Sequence, residues 1–302
     1  MRQLIYLITL YFFCSPSLFG QKLPTTNVYL FDMKALTDST YAFTQPRFLT
    51  GFNADGYNNQ PFFMSENELY LTVQLASDTT QTDIFSLNIK DNVLTRVTQT
   101  AESEFSPSLM PFTSDEGQKN YRFTCVRIEQ DGFNTQRLWS FPVNRSTKGE
   151  PVFRTIKGVG YYQWIDSRKA ALFIVGSPHQ LIIADTRTES GTTAARQIGR
   201  CIQKMPKGDL AYIDKSREGS WLLNRLNTRF FRSELITATL PESEDFALLS
   251  DGTFIMGNGA KLYKFHPERD TTWVEIGDFS YYGIQKISRL AVTDGKIAFV
   301  VQ

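Results

Sequence analysis

The sequence has little histidine, little cysteine and almost no net charge. Its 302 residues include 2 His and 3 Cys, with 32 Lys and Arg against 31 Asp and Glu. The two imidazoles, His179 and His266, fall in separate predicted hairpins, so they do not supply the convergent groups of a zinc centre or a catalytic triad. The balanced charge, with no long basic block, gives no general attraction for a phosphate backbone. We therefore expect no nucleic-acid partner.

Several sequence motifs are also missing. The spacings HExxH and GxSxG, a phosphate-binding loop and a calcium-binding loop do not occur in the sequence. These patterns mark metalloproteases, hydrolases, nucleotide-binding enzymes and calcium sites. No catalytic residue, metal ligand or cofactor is therefore predicted, and an enzymatic function is disfavoured.

Long apolar runs are scarce, and the one at residues 4–13 lies at the N-terminus. It follows Met1-Arg2 and precedes Gly20-Gln21, the order of basic, apolar and small residues in a secretory signal peptide. The run is too short to span a bilayer. Cleavage after Gly20 would resemble that of signal peptides of the Bacteroidetes. We expect an exported chain, periplasmic or at the cell surface, with no transmembrane segment after cleavage; a lipoprotein cut before Cys14 is a poorer match.

The rest of the sequence predicts a single all-β domain, residues 21–302. Short apolar or alternating runs are separated by turns, and helical periodicity is almost absent. Pairs of such runs recur about every 40 to 50 residues, the period of four-stranded propeller blades. Inner pairs fall at 60–74, 105–128, 161–176, 201–215, 246–259 and 287–302, and outer pairs at 27–50, 82–99, 136–155, 179–198, 220–239 and 261–276. The prediction is a six-bladed β-propeller of four-stranded antiparallel blades.

The order of the pairs predicts how the ring closes. The chain begins with an outer pair and ends with an inner pair, so the N- and C-terminal strands should share one blade. Residues 297–301 (IAFVV) are expected to pair with residues 28–32 (VYLFD). Closure of this kind leaves no long unpaired sheet edge.

Residues 83–111, DIFSLNIKDNVLTRVTQTAESEFSPSLMP, resemble the repeat of TolB-like six-bladed propellers. The similarity is strongest at Asp83-Ile84, at Leu94-Thr95-Arg96 and Thr98, and at Ser106-Pro107, which opens the next blade. In other blades the Ser-Pro signature is lost. The resemblance implies the propeller fold more than any function.

The two cysteines beyond the signal peptide, Cys125 and Cys201, are expected to remain free. They are predicted on strands two blades apart, so their Cα atoms should lie farther apart than the roughly 7 Å that a disulfide permits. We expect two free and mostly buried thiols.

The loops that lead from one blade to the next should rim the channel on one face. Acidic and tyrosine residues recur there, and Tyr offers a large amphipathic contact surface. The candidate binding residues are Tyr57, Asn58, Glu102, Glu104, Tyr161, Tyr162, Glu242, Glu244, Asp245, Tyr281 and Tyr282. The expected function is a non-catalytic module that binds a protein, a peptide or a cell-envelope ligand. The alternative is that the acids are merely solvated and the tyrosines pack between blades.

Two other functions remain open from the sequence. A lactonase or gluconolactonase-like propeller would hold a divalent metal through carboxylates and Asn at the channel mouth. The residues available for such a site are Asn58, Glu104, Glu244 and Asp245. A carbohydrate-binding propeller would instead stack sugar rings on the Tyr161-Tyr162 and Tyr281-Tyr282 pairs.

Overall fold

The computed structural model describes residues 23–111, 121–144 and 148–302. Their strands form six sheets of four antiparallel strands each, and these residues contain no α-helix. The predicted six-bladed propeller is confirmed. The predicted signal peptide, with Cys14, and residues 112–120 of the predicted inner pair 105–128 lie outside the described residues.

The strands follow one another around the ring in chain order. Blade 1 contains β3 (Tyr57–Ser65), β4 (Glu68–Leu75), β5 (Asp78–Asn88) and β6 (Val93–Arg96); blade 2 contains β7 (Ser103–Leu109), β8 (Arg122–Ile128), β9 (Gln136–Pro142) and β10 (Glu150–Pro151); blade 3 contains β11 (Val159–Trp164), β12 (Lys169–Ile174), β13 (Gln180–Asp185) and β14 (Ser190–Arg196). Blade 4 contains β15 (Ile198–Lys204), β16 (Leu210–Asp214), β17 (Leu222–Asn227) and β18 (Arg232–Ala238); blade 5 contains β19 (Phe246–Leu248), β20 (Phe254–Asn258), β21 (Lys261–Phe265) and β22 (Val274–Asp278). Blade 6 contains β23 (Ile287–Thr293), β24 (Lys296–Val301), β1 (Asn27–Ala35) and β2 (Tyr41–Phe48).

Blade 6 closes the ring with strands from both ends of the chain. Its strand order is β23-β24-β1-β2, and β24 pairs antiparallel with β1. Val28 lies opposite Val300 and Leu30 opposite Ala298, and all four side chains are fully buried. The predicted pairing of residues 297–301 with residues 28–32 is therefore confirmed.

The hydrophobic core of the described residues is divided into six clusters, and each lies between two neighbouring blades. The cluster between blades 3 and 4, for example, joins Leu181 and Phe173 to Leu210 and Tyr212. The middle strands are covered on both faces by adjacent blades, which explains why they are apolar without interruption. The AALF stretch of β12 and the IAFV stretch of β24 are such runs. Each blade is therefore stabilised chiefly by its neighbours.

The first strand of each blade borders the central channel, and in five blades its pairing with the second strand is irregular. Register shifts fall in β3, β7, β11, β15 and β23. In β3 and β7 the shifts contain Gln60 and Ser106, non-glycine residues with φ of 53° and 56°. A bulge changes the direction of the following side chains. These irregularities therefore affect which side chains enter the channel.

The two cysteines are separated as expected. Cys125 lies on β8 in blade 2 and Cys201 on β15 in blade 4, and both are buried and free. Burial raises the pKa of the Cys201 thiol to about 12 and raises that of Cys125 as well. Because the thiolate is the reactive form, neither side chain is suited to nucleophilic chemistry.

Candidate functional site at the channel mouth

One face of the propeller carries the connections that lead into the first strand of each blade, together with the hairpins that join second and third strands. We call it the upper face, and its blade-to-blade connections are 49–56, 97–102, 152–158, 197, 239–245 and 279–286. Because neighbouring strands are antiparallel, all these segments lie at the same end of the sheets. The first strands run from this face into the channel.

A narrow cavity of about 150 Å³ occupies the channel below the upper face. All six blades contribute to its wall through residues on, or just before, their first strands. Most lining side chains are neutral, including Gln60, Gln163 and Gln203. The charged residues of the wall, among the described residues, are Arg200, Asp245 and Arg289.

Arg200 and Asp245 form the principal ion pair of the channel. The Arg200 Nε atom lies 3.2 Å and 3.1 Å from the two carboxylate oxygens of Asp245, and Nη2 donates to Oδ2. This two-pronged geometry is the strongest that a carboxylate and a guanidinium can form. Glu244 accepts the Arg200 backbone N–H at 2.6 Å and pairs with Lys215 at 3.0 Å. Both acids of this segment therefore already have cationic partners.

Arg289 reaches across the channel from blade 6 to the opposite blade 3. Its Nη2 donates to the Tyr161 hydroxyl at 2.9 Å, and its guanidinium carbon lies 5.0 Å from the centre of that ring. Its Nη1 is 3.7 Å from Asp245 Oδ1, too far for a good hydrogen bond. Burial acts to lower the pKa of Arg289, but Asp245 and Tyr161 raise it overall, so the side chain stays cationic.

Three residues predicted from the sequence meet at this mouth. Tyr161 and Asp245 contact Arg289, and Tyr57 lies close enough for its titration to be affected by Arg289. Burial raises the pKa of Tyr57 to about 12, so its hydroxyl remains neutral at physiological pH. Glu244 lies beside them, in contact with Arg200.

Asn58 differs from its predicted position on an exposed rim, because the structure buries it completely. Its amide donates to the carbonyls of Thr26 and Asn53, both at 2.8 Å, and its oxygen accepts from the Asn53 amide at 3.0 Å. The bond to Thr26 joins the segment before β1 to the start of blade 1, and the bonds with Asn53 hold the connection 49–56 against β3. Asn58 thus stabilises the junction beside the closing blade and has no free group for a ligand.

Glu104 is likewise fully buried instead of lying on the rim. Its Oε1 accepts hydrogen bonds from the Thr100 hydroxyl at 2.5 Å and from Arg127 Nε at 3.0 Å, and Oε2 has no hydrogen-bond partner in the described part of the chain. Arg127 is also buried and lies over the Trp139 ring, 4.1 Å from its centre. This network joins strands within blade 2.

Tyr162 packs between blades, one of the two alternatives that the sequence left open for the tyrosines. Its hydroxyl, from blade 3, donates to the carbonyls of Thr124 at 2.7 Å and Ser106 at 2.9 Å in blade 2.

Two other predicted acids differ in their exposure. Glu102 is partly buried and lies 3.9 Å from Arg127, whereas Glu242 is exposed.

Tyr281 and Tyr282 are on the surface of the upper face. The exposed fraction is 92% for Tyr281 and 37% for Tyr282. The two rings meet edge to face at 5.5 Å, and Tyr282 also contacts the buried Phe31 ring at 5.2 Å. Tyr281 is therefore an exposed ring held on a packed aromatic base.

The structure adds residues that the sequence pattern did not indicate. Arg200 and Arg289 define the channel mouth, and Phe48 and Phe52 are exposed apolar side chains on the upper face. Phe52 lies in the connection that leads into blade 1 and Arg200 lies near the start of β15, but the sequence pattern selected only acids, Asn and Tyr as candidates. No local pattern marks Arg289, because its partners come from distant blades.

The residues proposed for a metal site do not converge. Asn58 and Glu104 belong to separate buried networks, while Glu244 and Asp245 are paired with cations. The described part of the chain contains no group of three or more His, Cys, Asp and Glu that could hold a metal ion. The arrangement does not favour a lactonase-type metal site.

Within the described residues, no helix is long and apolar enough to cross a membrane.

Comparison with known proteins identifies the fold. No protein-family model and no curated protein matches the sequence. A TolB structure from Agrobacterium tumefaciens matches with a TM-score of 0.65 and 11% identity, covering 92% of this chain and 98% of that one. A chain of a nidogen/laminin complex matches with a TM-score of 0.60 and 9% identity over the same shares. A structure described as a gluconolactonase has a TM-score of 0.55 and 10% identity over 81% of this chain and 88% of that one. The chain thus has the six-bladed β-propeller fold of TolB-like proteins.

Proposed function

We propose that this chain is an exported, non-catalytic interaction module that binds a protein or peptide through its upper face. One observation carries the proposal: four exposed aromatic side chains lie at the closing blade on that face, Phe48 and Phe52 at the end of its last strand and in the connection that follows, and Tyr281 and Tyr282 in the connection before its first strand. Exposed aromatic clusters with polar surroundings are typical of protein-binding surfaces.

The packing beneath these rings supports a preformed binding surface. The ring centres of Phe48 and Tyr29 are 5.2 Å apart, and the Phe52 ring stacks on the Phe85 ring with 6.4 Å between their centres. Tyr282 rests on Phe31, which in turn stacks on the buried Phe299 at 5.4 Å. A side chain already held by its neighbours loses little conformational entropy when a partner binds. The TolB and nidogen/laminin structures share this fold, which is compatible with a protein partner.

Site-specific photo-cross-linking tests the proposed surface. We expect p-benzoylphenylalanine in place of Tyr281 to cross-link a discrete protein in envelope extracts, because a bound partner would cover that ring. Phe230 is the matched control, since it is 64% exposed but lies in the β17–β18 hairpin on the opposite face. The measurement is the yield of each cross-linked band, identified by mass spectrometry.

The competing outcomes are distinct. A band formed at position 281, absent at position 230 and lost when Phe52 and Tyr282 are changed to Ser supports the upper face. Equal bands at positions 281 and 230 would indicate non-specific capture. Cross-linking confined to position 230 would move the binding surface to the opposite face and contradict the proposal.

The export part of the proposal rests on the signal-peptide pattern of residues 1–20. We expect the mature protein to begin at Gln21, because cleavage after Gly20 leaves a small residue at the cut. Intact-mass measurement of protein recovered from the periplasmic or surface fraction checks this. Recovery of the uncleaved chain from the cytoplasm would contradict export, and a lipid-modified mass beginning at Cys14 would indicate a lipoprotein.

A further inference from the structure

We propose that Arg289 is the anchor for a carboxylate group of a bound peptide at the centre of the upper face. The proposal rests on the proposed function and names the ligand chemistry that the channel mouth would recognise. It is carried by the charge balance of the channel, the unused donors of Arg289 and the size of the cavity.

The charges of the channel wall do not cancel. Three cations, Arg200, Lys215 and Arg289, face only two carboxylates, those of Asp245 and Glu244. Asp245 is bound by Arg200 through both of its oxygens, so little of its hydrogen-bonding capacity remains for Arg289. Tyr57 cannot supply the missing negative charge, because its hydroxyl stays protonated with a pKa of about 12. One positive charge therefore remains without a full partner in the channel.

Arg289 keeps hydrogen-bond donors for a ligand. The one hydrogen bond of its side chain among the described residues goes to the Tyr161 hydroxyl. Only 16% of the side chain is exposed, so most of its hydration shell has been removed. A desolvated guanidinium without a bidentate acceptor is energetically costly. A carboxylate matches the forked geometry of its remaining N–H groups.

The dimensions of the site select a small anionic group. The cavity of about 150 Å³ accepts a carboxylate and the first carbons that bear it, but not a folded segment. One surplus positive charge also matches a monoanion such as a carboxylate better than a phosphate dianion. The carboxylate can be the C-terminus of a peptide or an Asp or Glu side chain. Exposed aromatic rings on the same face would contact the rest of that peptide.

Side-chain NMR with simple peptides tests the proposal. The protein is labelled with ¹⁵N-arginine, and the Arg289 Nε–H signal is assigned by its loss in Arg289→Gln. The probes are tetraglycine with a free C-terminus, the same peptide amidated, and an amidated, acetylated Gly-Gly-Asp-Gly-Gly. We expect the signal to shift in a saturable way with one or both carboxylate-bearing peptides and to stay in place with the amidated tetraglycine.

Variants separate the anchor from general electrostatics. Arg289→Gln is expected to weaken carboxylate binding at least tenfold, and Arg289→Lys less, because Lys keeps the charge but loses the fork. Arg225→Gln is the matched control, since Arg225 pairs with Asp209 outside the channel wall. It should leave binding unchanged. Circular dichroism confirms that each variant is folded before titration.

The outcomes either support or overturn the anchor. A shift with free tetraglycine alone assigns a C-terminal carboxylate, and a shift with the Asp peptide alone assigns an acidic side chain. Equal shifts with the amidated tetraglycine or with matched sodium chloride would overturn the proposal, as would unchanged binding by Arg289→Gln. Cross-linking at position 281 fails or succeeds independently of these titrations, so loss of the protein partner and loss of the carboxylate site are distinguishable.

Discussion

Deleting residues 287–302 is expected to abolish cooperative unfolding and to leave aggregated or molten protein. The deletion removes β23 and β24, and with them one of the two strands that pair with β1 and part of the clusters that join blade 6 to blades 5 and 1. The exposed edge of β1 would then be open to pairing with other chains. Near-UV circular dichroism and urea titration measure the effect.

A single substitution in the closing blade tests the same packing in a protein that still folds. Phe299 is fully buried, stacks on Phe31 at 5.4 Å and meets Phe279 edge to face at 5.0 Å. Phe299→Ala should lower the free energy of unfolding by about 3–5 kcal/mol, because a cavity adds to the lost transfer energy. Phe230→Ala, at an exposed hairpin, should change it by about 0.5 kcal/mol or less. A deletion variant that unfolds like the full chain would contradict a ring closed by terminal strands.

Replacing Glu104 with Ala is expected to destabilise the fold far more than removing an exposed charge. At pH 8 it should cost about 3–5 kcal/mol, since it leaves the buried Arg127 guanidinium without its close partner. The matched control is Glu275→Ala, which removes an ion pair of similar length, 2.9 Å to Lys261, from an exposed site. That variant should have little effect, because exposed ion pairs contribute little. Urea midpoints of the two variants and the wild-type protein measure the difference.

The same carboxyl predicts a pH dependence of stability. Burial raises the pKa of Glu104 to about 7, and the opposing effects of Thr100 and Arg127 only partly offset it. The folded protein therefore holds this proton up to nearly pH 7, whereas the unfolded chain releases it near the ordinary glutamate pKa of 4.5. Between these values the folded state binds more protons, so stability falls as the pH rises, by at most about 1.4 kcal/mol per pH unit.

Comparison with Glu104→Gln isolates this contribution. The amide cannot titrate, so the stability of the wild-type protein relative to this variant should decline between pH 4.5 and 7 and level off above it. Other ionisable groups are common to both proteins and largely cancel in the difference. Parallel stability curves across this range would show that Glu104 does not titrate there.

The fold was predictable because its signals are local. The turn-forming pairs Asp251-Gly252 and Asp294-Gly295 separate strands whose apolar runs repeat along the chain, and the structure places hairpins at both. The pairing of β1 with β24 also followed from the sequence, because an outer pair at one end of the chain requires an inner pair at the other. The composition of the closing blade therefore follows from the number and order of the predicted strand pairs.

The candidate site was only partly predictable. The candidates Tyr57, Asn58, Glu104, Tyr161 and Tyr162 were expected in the connections but lie on the first strands β3, β7 and β11, and the sequence did not distinguish buried from exposed residues. Glu104 and Tyr281 were both expected in such connections, yet one is fully buried and the other is 92% exposed. The difference depends on Arg127, which lies on the neighbouring strand and binds Glu104, and on the short 3-10 helix Ser280–Tyr282, which has no buried residues. Neither is visible in the local pattern.

The sequence by itself determined the six blades, the closing strands and the separation of Cys125 from Cys201, because hydrophobic periodicity and turn residues act over short stretches of chain. Only the tertiary structure decided what enters the channel. Arg289 meets Tyr161 across the ring, although they are 128 residues apart in sequence. Closure of the ring brings these side chains together, and the register shifts in the first strands affect their direction. The charge of the channel mouth is therefore a property of the assembled ring.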